Sequence, residues 1–296
     1  MNMTGTFIAT LEPLGPFEFE CKPYVLALSP FKIPKADRKL VAWWKFDEAE
    51  GGEAADSSGN NIIGTLSGNP QWQPSGGKVG GALAFDGDGD FIDCGHDEGL
   101  NITGAVTISA WIKLSKSTDD QKIAGNQDDI SGGYKLSIFS NKAELEVRDS
   151  DNSLRNNRFV DGGTILQPGV WYHVVGTYSQ GGSIKTYVNG KLDREQGTTN
   201  TLAASSGPLK IGCEPFSGIC LFNGLMDEVS IYNYALSETD VVDIYSGKSP
   251  PTVAQVATLA AGEQPTGWGR HFVPVLIIMI IAVVIVGLVT RRKQVT

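Results

Sequence analysis

Basic charge is in short supply: 24 Lys and Arg stand against 33 Asp and Glu, a net charge of -9. Phosphate binding needs clustered Lys and Arg, so this balance argues against a nucleic-acid partner. Three of the basic residues, Arg291, Arg292 and Lys293, sit at the extreme C-terminus, which leaves the rest of the chain more acidic still. An acidic surface serves solubility, or suits calcium and cationic partners. Cysteine is scarce, with four residues and no Cys-x-x-Cys, which speaks against zinc. Histidine is scarcer: His96 falls in a loop, His173 in a strand pattern and His271 beside an apolar tail. With no Gly-x-Ser-x-Gly elbow beside them, they suggest no hydrolytic triad. Residues 1–39 lack long regular runs because Pro13, Pro16, Pro23, Pro30 and Pro34 interrupt them. They also lack the early basic residues and unbroken apolar run of a secretory signal, and read as a Pro-rich lead-in.

What is abundant is glycine, 36 residues, which with 14 Pro fits a protein of many tight turns. From Leu40 the strands come at regular spacing. LVAWWKF is one; ALAFDGDGDFIDCG reads as two short strands about a hairpin turn; VTISAWIKL puts Val106, Ile108, Ala110, Ile112 and Leu114 on one face and Thr107, Ser109, Trp111 and Lys113 on the other. YKLSIFS and AELEVRD follow. WYHVVGTYSQGGSIKTYVNGKL is a meander whose turns fall at Gly181-Gly182 and Asn189-Gly190. LKIG and LMDEVSIY are the last strands. One helix is expected at ETDVVDIYSG, capped by Ser237 with Asp240 at the reciprocal position and closed by Gly247.

WKFDEAEGGEAADSSGNNIIGTL, LAFDGDGDFID, VTISAWIKL, the meander and FNGLMDEVSIYNYALSETDV occur in the order seen in laminin G-like (concanavalin A-like) jelly-roll domains, and the chain resembles that family over 40–247. The resemblance implies an all-β fold, a two-sheet antiparallel jelly-roll sandwich. It does not name a ligand, since one architecture serves lectins, adhesion modules and glycanases. Glycanases of this fold carry an acidic triplet on one strand; Glu144 and Glu146 in AELEVRD lack the third member, which points to a solvated strand face and a non-catalytic chain. Relatives often hold a structural calcium near the meeting of the chain's ends, and the matching donors here are Asp56, Asn60 and Asp227. The alternative is that Asp56 and Asn60 cap turns and Asp227 pairs with a cation. Asp86, Asp88, Asp90 and Asp97 have EF-hand spacing, but Phe91 stands where that loop needs Gly, so a tight turn is expected instead.

Cys213 and Cys220 bracket GCEPFSGIC, a separation that suits a disulfide-clipped loop outside the cytosol, with free thiols as the alternative; Cys94 with Cys21 is a further pairing among three connectivities. After 40–247 comes a Pro, Ala and Thr-rich stalk, 248–268. The run FVPVLIIMIIAVVIVGLV carries no charge and is long enough to span a bilayer, so 269–290 reads as a transmembrane helix and 291–296 as a basic cytoplasmic tail. The expectation is a single-pass membrane protein with its jelly roll outside the cytoplasm, binding glycans or surface proteins. The alternative is a self-assembling subunit of a surface layer or envelope. Trp72 and Tyr134 are candidate sugar-stacking residues, or else buried core.

Overall fold

The computed structural model describes residues 9–10, 16–17, 38–117, 120–127, 131–148, 158–198, 201–214, 219 and 222–248. A two-residue pair, β1 (Ala9–Thr10) and β2 (Pro16–Phe17), comes first. Then follow β3 (Leu40–Trp44), β4 (Glu53–Ala54), β5 (Gly64–Ser67), β6 (Gln71–Gln73), β7 (Ala82–Asp86) and β8 (Phe91–Asp93). The middle of the chain supplies β9 (Ala105–Leu114), β10 (Asp120–Gly125), β11 (Gly133–Phe139), β12 (Lys142–Arg148) and β13 (Arg158–Asp161). The last elements are β14 (Trp171–Ser179), β15 (Ser183–Val188), β16 (Lys191–Gly197), β17 (Lys210–Ile211), β18 (Asn223–Tyr232) and α1 (Glu238–Tyr245).

Two antiparallel sheets result. The first has the order β16-β15-β14-β9-β18-β7-β6, with β3 also on β18; the second has the order β13-β12-β11-β10-β17-β8-β5-β4. Alternation explains how they stack. Val106, Ile108, Ala110, Ile112 and Leu114 of β9 face Leu136, Ile138, Leu145 and Val147 of the second sheet in one main core. The meander forms as read: Gly181 turns β14 into β15, and Asn189 and Gly190, both at positive φ, turn β15 into β16.

The structure adds a covered face and changes two sequence expectations. The outer face of β9 is covered, with Thr107, Ser109 and Trp111 all buried. Helix α1 lies over it, capped by Ser237 and Asp240, and a second core joins Val175, Tyr187, Tyr232, Tyr234, Val241 and Ile244. His173 lies beneath Tyr245 and Trp111, its Nε2 2.8 Å from Ser109 Oγ; burial holds its pKa down to about 3. The turn at Gly87–Gly89 is not a hairpin, because β7 and β8 belong to different sheets. Asp90 makes that crossing, accepting from Asp86 N (3.0 Å) and from Asn69 N (2.6 Å). Cys94 carries a free thiol packed in the core, where burial pushes its pKa up, so it forms no pair with Cys21.

The stalk at 249–268, the apolar run at 269–290 and the tail at 291–296 lie outside the described residues. Among the described residues, no helix is long and apolar enough to cross a membrane.

Candidate functional site

The outward face of the second sheet carries polar side chains that are nonetheless withdrawn from solvent. On β11, Tyr134, Leu136 and Ile138 point into the core, which turns Lys135, Ser137 and Phe139 outward. On β12, Ala143, Leu145 and Val147 point inward, so Glu144 and Glu146 face out. Yet Ser137 is 0 % exposed, Gln127 3 % and Lys135 8 %. Polar side chains this buried on an outward face imply a recess above them, and their burial corrects the expectation of a solvated strand face at AELEVRD.

Register brings the charges together. Lys135 stands opposite Glu146, and Ser137 opposite Glu144. Lys135 Nζ lies 3.0 Å from Glu146 and 3.2 Å from Glu214, and Lys122 reaches the same Glu214 at 3.3 Å. Gln127 Nε2 donates to Glu146 Oε1 at 2.7 Å. Burial opposes the charge on Glu146, but Lys135 and the Gln127 amide outweigh it and hold its pKa below the ordinary value. Burial likewise opposes the charge on Lys135, and Glu146 and Glu214 overcome it.

Glu144 behaves differently. Burial and a hydrogen bond with Asp161, directly opposite on β13, raise its pKa to about 7. Ser137 Oγ donates to its Oε1 at 3.0 Å. Two buried acceptor oxygens here, Gln127 Oε1 and Asp161 Oδ1, have no hydrogen-bond partner. Phe139 and Phe159 stand at the sides, 45 % and 49 % exposed. Sequence reasoning missed both phenylalanines. Their signal was the parity of YKLSIF and RFVD, which puts them on the face opposite to the core residues Ile138 and Val160.

The expected aromatic candidates belong elsewhere. Tyr134 is core, its hydroxyl donating to Leu100 O at 2.8 Å. Trp72 packs against the core near Phe46 and donates Nε1–H to Gly51 O at 2.8 Å.

Of the three residues expected to hold calcium, Asp56 lies beside β3, bridged to Trp44, Asn60 lies in the loop that follows, and Asp227 stands on β18 inside the first sheet. β7 and β3 lie end to end along β18, and a bulge between Asp227 and Ser230 falls at the gap between them. Asp227 fills that gap and accepts from Lys78 N and Val79 N, both at 2.8 Å, while its Oδ1 is buried without a partner. Burial first, then Glu228 and Asp47, push its pKa up to about 7 against the two N–H bonds. Asp56 is engaged otherwise: Trp43 N, Ser58 N, Ser58 Oγ and Ile62 N all donate to its carboxylate. Asn60 directs its amide N–H groups at the carbonyls of Leu40 and Val41. Of the two carboxylates in the expected set, then, Asp227 alone offers an unpartnered oxygen, which fits a six- to eight-coordinate cation poorly. Asp97 caps a short 3-10 turn by accepting from Gly99 N, and Asp86 accepts from Asp88 N, so these acids serve turns. Among the described residues no group of three or more His, Cys, Asp or Glu is placed to hold a metal ion.

Cys213 is buried, and Cys220, the partner expected for it, lies outside the described residues. A backbone bond from Glu214 N to Ile219 O, 2.9 Å, closes the intervening loop.

A family model described as the concanavalin A-like lectin/glucanases superfamily matches residues 85–242, and the chain belongs to that family. No curated protein matches it in sequence. Solved structures resemble it at low identity. The binding domain of Paraclostridial mosquitocidal protein 1 superposes with a TM-score of 0.58 at 18% identity, over 72% of this chain and 53% of that one. Domain 4 of an extracellular arabinanase from Geobacillus stearothermophilus, solved with arabinotriose, gives 0.54 at 23% identity, over 70% and 98%. The ligand-binding domain of botulinum neurotoxin serotype D, solved with N-acetylneuraminic acid, gives 0.56 at 19% identity, over 71% and 51%. The match thus spans about half the length of the toxin domains and nearly all of the arabinanase domain. At such identities the likeness is one of fold.

Proposed function

We propose that this chain is a non-catalytic binding module that takes glycans in the recess on the second sheet. The observation that carries the reading is the pairing of unpartnered buried acceptors, Gln127 Oε1 and Asp161 Oδ1, with the exposed rings of Phe139 and Phe159. Sugars offer hydroxyl donors to the first and apolar ring faces to the second. Neighbours of the same fold that were solved with arabinotriose and N-acetylneuraminic acid add support to a sugar. A hydrolytic role gains none, because Glu146 is tied to Lys135 and Gln127, and Glu144 to Ser137 and Asp161. A glycan array with the full chain should return a restricted set of sugars, and Phe159→Ala should weaken the best of them about tenfold, or ~1.4 kcal/mol. Binding to no glycan would overturn the proposal.

A surface protein as ligand, and self-assembly into a surface layer, have less behind them. The edge strand β16 is mostly exposed and carries Lys191, Asp193, Arg194 and Glu195, charges that discourage edge-to-edge pairing.

We also propose that the run at 269–290 anchors the chain in a membrane with the sandwich on the outer side, which rests on its uncharged length and on Arg291, Arg292 and Lys293. A Cys213–Cys220 disulfide belongs to the same reading. Protease treatment of intact cells should release sandwich peptides, with the two cysteines linked until reduction. A sandwich left uncut while other surface proteins are removed would reverse the topology.

A further inference from the structure

Two carboxyl groups directly opposite each other on neighbouring strands are destabilising, and most outward faces avoid the arrangement. Here Glu144 faces Asp161 across β12 and β13, on the floor of the recess, with Ser137 on the other side of Glu144. Lys135 is taken up by Glu146 and Glu214, Lys122 by Asp120 and Glu214, and Arg148 acts on Glu146. Lys142 lies two pairs further along β12, on the same face as Glu144 and opposite the exposed Phe139. Among the described side chains of this face, the five carboxyls of Asp120, Glu144, Glu146, Asp161 and Glu214 outnumber the four cations Lys122, Lys135, Lys142 and Arg148. Burial first, then the hydrogen bond with Asp161, raises the Glu144 pKa to about 7, so the facing pair keeps a proton between its two carboxyls.

A second observation points to a ligand. Gln127 is 3 % exposed, its amide nitrogen bonds Glu146 inside the recess, and its Oε1 has no partner. Asp161 Oδ1 is in the same condition. Both are acceptors, so the floor lacks donors. Phe159 lies on the same face of β13 as Asp161, two residues back. Two residues along a strand are about 6.8 Å apart, the scale of one pyranose ring with its exocyclic substituent.

We propose that the Glu144–Asp161 pair is a subsite for a ligand amino group, so that the recess selects amino sugars, with the sugar ring on Phe159 and its ammonium between the two carboxyls. This rests on the glycan-binding reading of the recess and specifies it. The ammonium takes the place of the shared proton, which leaves to solvent; no covalent bond forms or breaks. An N-acetylated sugar has no charge to compensate the two carboxylates and leaves the proton where it is.

The test is calorimetry on the full chain in detergent at pH 6.5, with a glucosamine hexasaccharide and its fully N-acetylated counterpart, in two buffers of different ionisation enthalpy. The expected result is at least tenfold tighter binding of the free-amine oligomer, with release of up to one proton per bound ligand. Glu144→Gln and Asp161→Asn should each reduce that preference to threefold or less without lowering the melting temperature, since they remove like-charge opposition. Equal affinity for the two oligomers, with loss of both in Phe159→Ala, would overturn the amino subsite and leave the recess as a glycan site. Binding of neither oligomer would overturn the subsite, and with a blank glycan array the glycan reading as well. A preference that persists in both carboxyl variants would place the amino group elsewhere and also overturn the proposal.

Discussion

Replacing Trp44 by alanine is expected to lower the melting temperature by about 10–20 °C, or to prevent folding altogether. Trp44 is fully buried in the main core and its Nε1–H donates to Ile62 O at 2.9 Å. Truncating a buried aromatic costs about 3–5 kcal/mol, and leaving the Ile62 carbonyl buried without its donor costs about 1–3 kcal/mol more. Whole-domain stability is about 5–15 kcal/mol, so a marginal domain does not survive the sum. At about 2–4 °C per kcal/mol for a domain of this size, a more stable one melts well below the wild type. Trp44→Phe separates the two contributions by keeping most of the packing and losing the hydrogen bond. Trp43→Ala is the control, because Trp43 is half-buried on the other face, where Lys45 lies over its ring and Glu228 accepts from its Nε1. Differential scanning calorimetry of the three variants measures this. If Trp44→Ala melted within a few degrees of wild type, the core assignment would be wrong.

The contribution of Asp227 to stability should fall as pH rises from about 4 to 7, and Asp227→Asn should remove that contribution from the slope; Glu144 adds to the fall and His173 opposes it. The Asp227 pKa lies at about 7 in the folded chain against an ordinary 3.8. Between those values the folded chain holds a proton that the unfolded chain has released. Stability from this group is therefore complete below the unfolded value, falls by about 1.4 kcal/mol per pH unit through the window and levels off above 7. Asparagine keeps an oxygen for Lys78 N and Val79 N but has no charge to bury. Asp227→Ala leaves both N–H groups without their acceptor and should be the least stable variant at every pH. Chemical denaturation of wild type and both variants at pH 5 and pH 8 measures the difference; an unchanged slope in Asp227→Asn would assign it to other groups. The same proteins test structural calcium, which we keep as a proposal for Asp227. Calcium added to chelator-treated protein must raise the melting temperature of wild type and leave Asp227→Asn unchanged; no rise removes the proposal.

Strand parity and turn chemistry were legible without coordinates. The alternation of VTISAWIKL, the turns at Gly181 and at Asn189-Gly190, and the capping box of Ser237 and Asp240 are local properties, set by side-chain period and allowed φ. They sufficed for antiparallel strands spaced as in a sandwich, while the two-sheet jelly roll followed from the family resemblance. The recess was not legible, because it depends on which strands become neighbours. AELEVRD reads the same whether its outer face meets water or the ions of three other strands and a loop, and burial, not residue type, separates a solvated Glu from Glu144. The same holds for the charges that converge on Lys135 from β12 and from Glu214, far along the chain. Asp227 was picked out by its place in MDEV, but its fate was decided by a gap between β7 and β3 that only β18 brings end to end. In LVAWW the sequence determined that Trp43 and Trp44 face opposite ways, since a strand alternates. Only the packing of the second sheet decided that Trp44 is the one in the core, because burial is a property of what lies across from a residue and not of the residue itself.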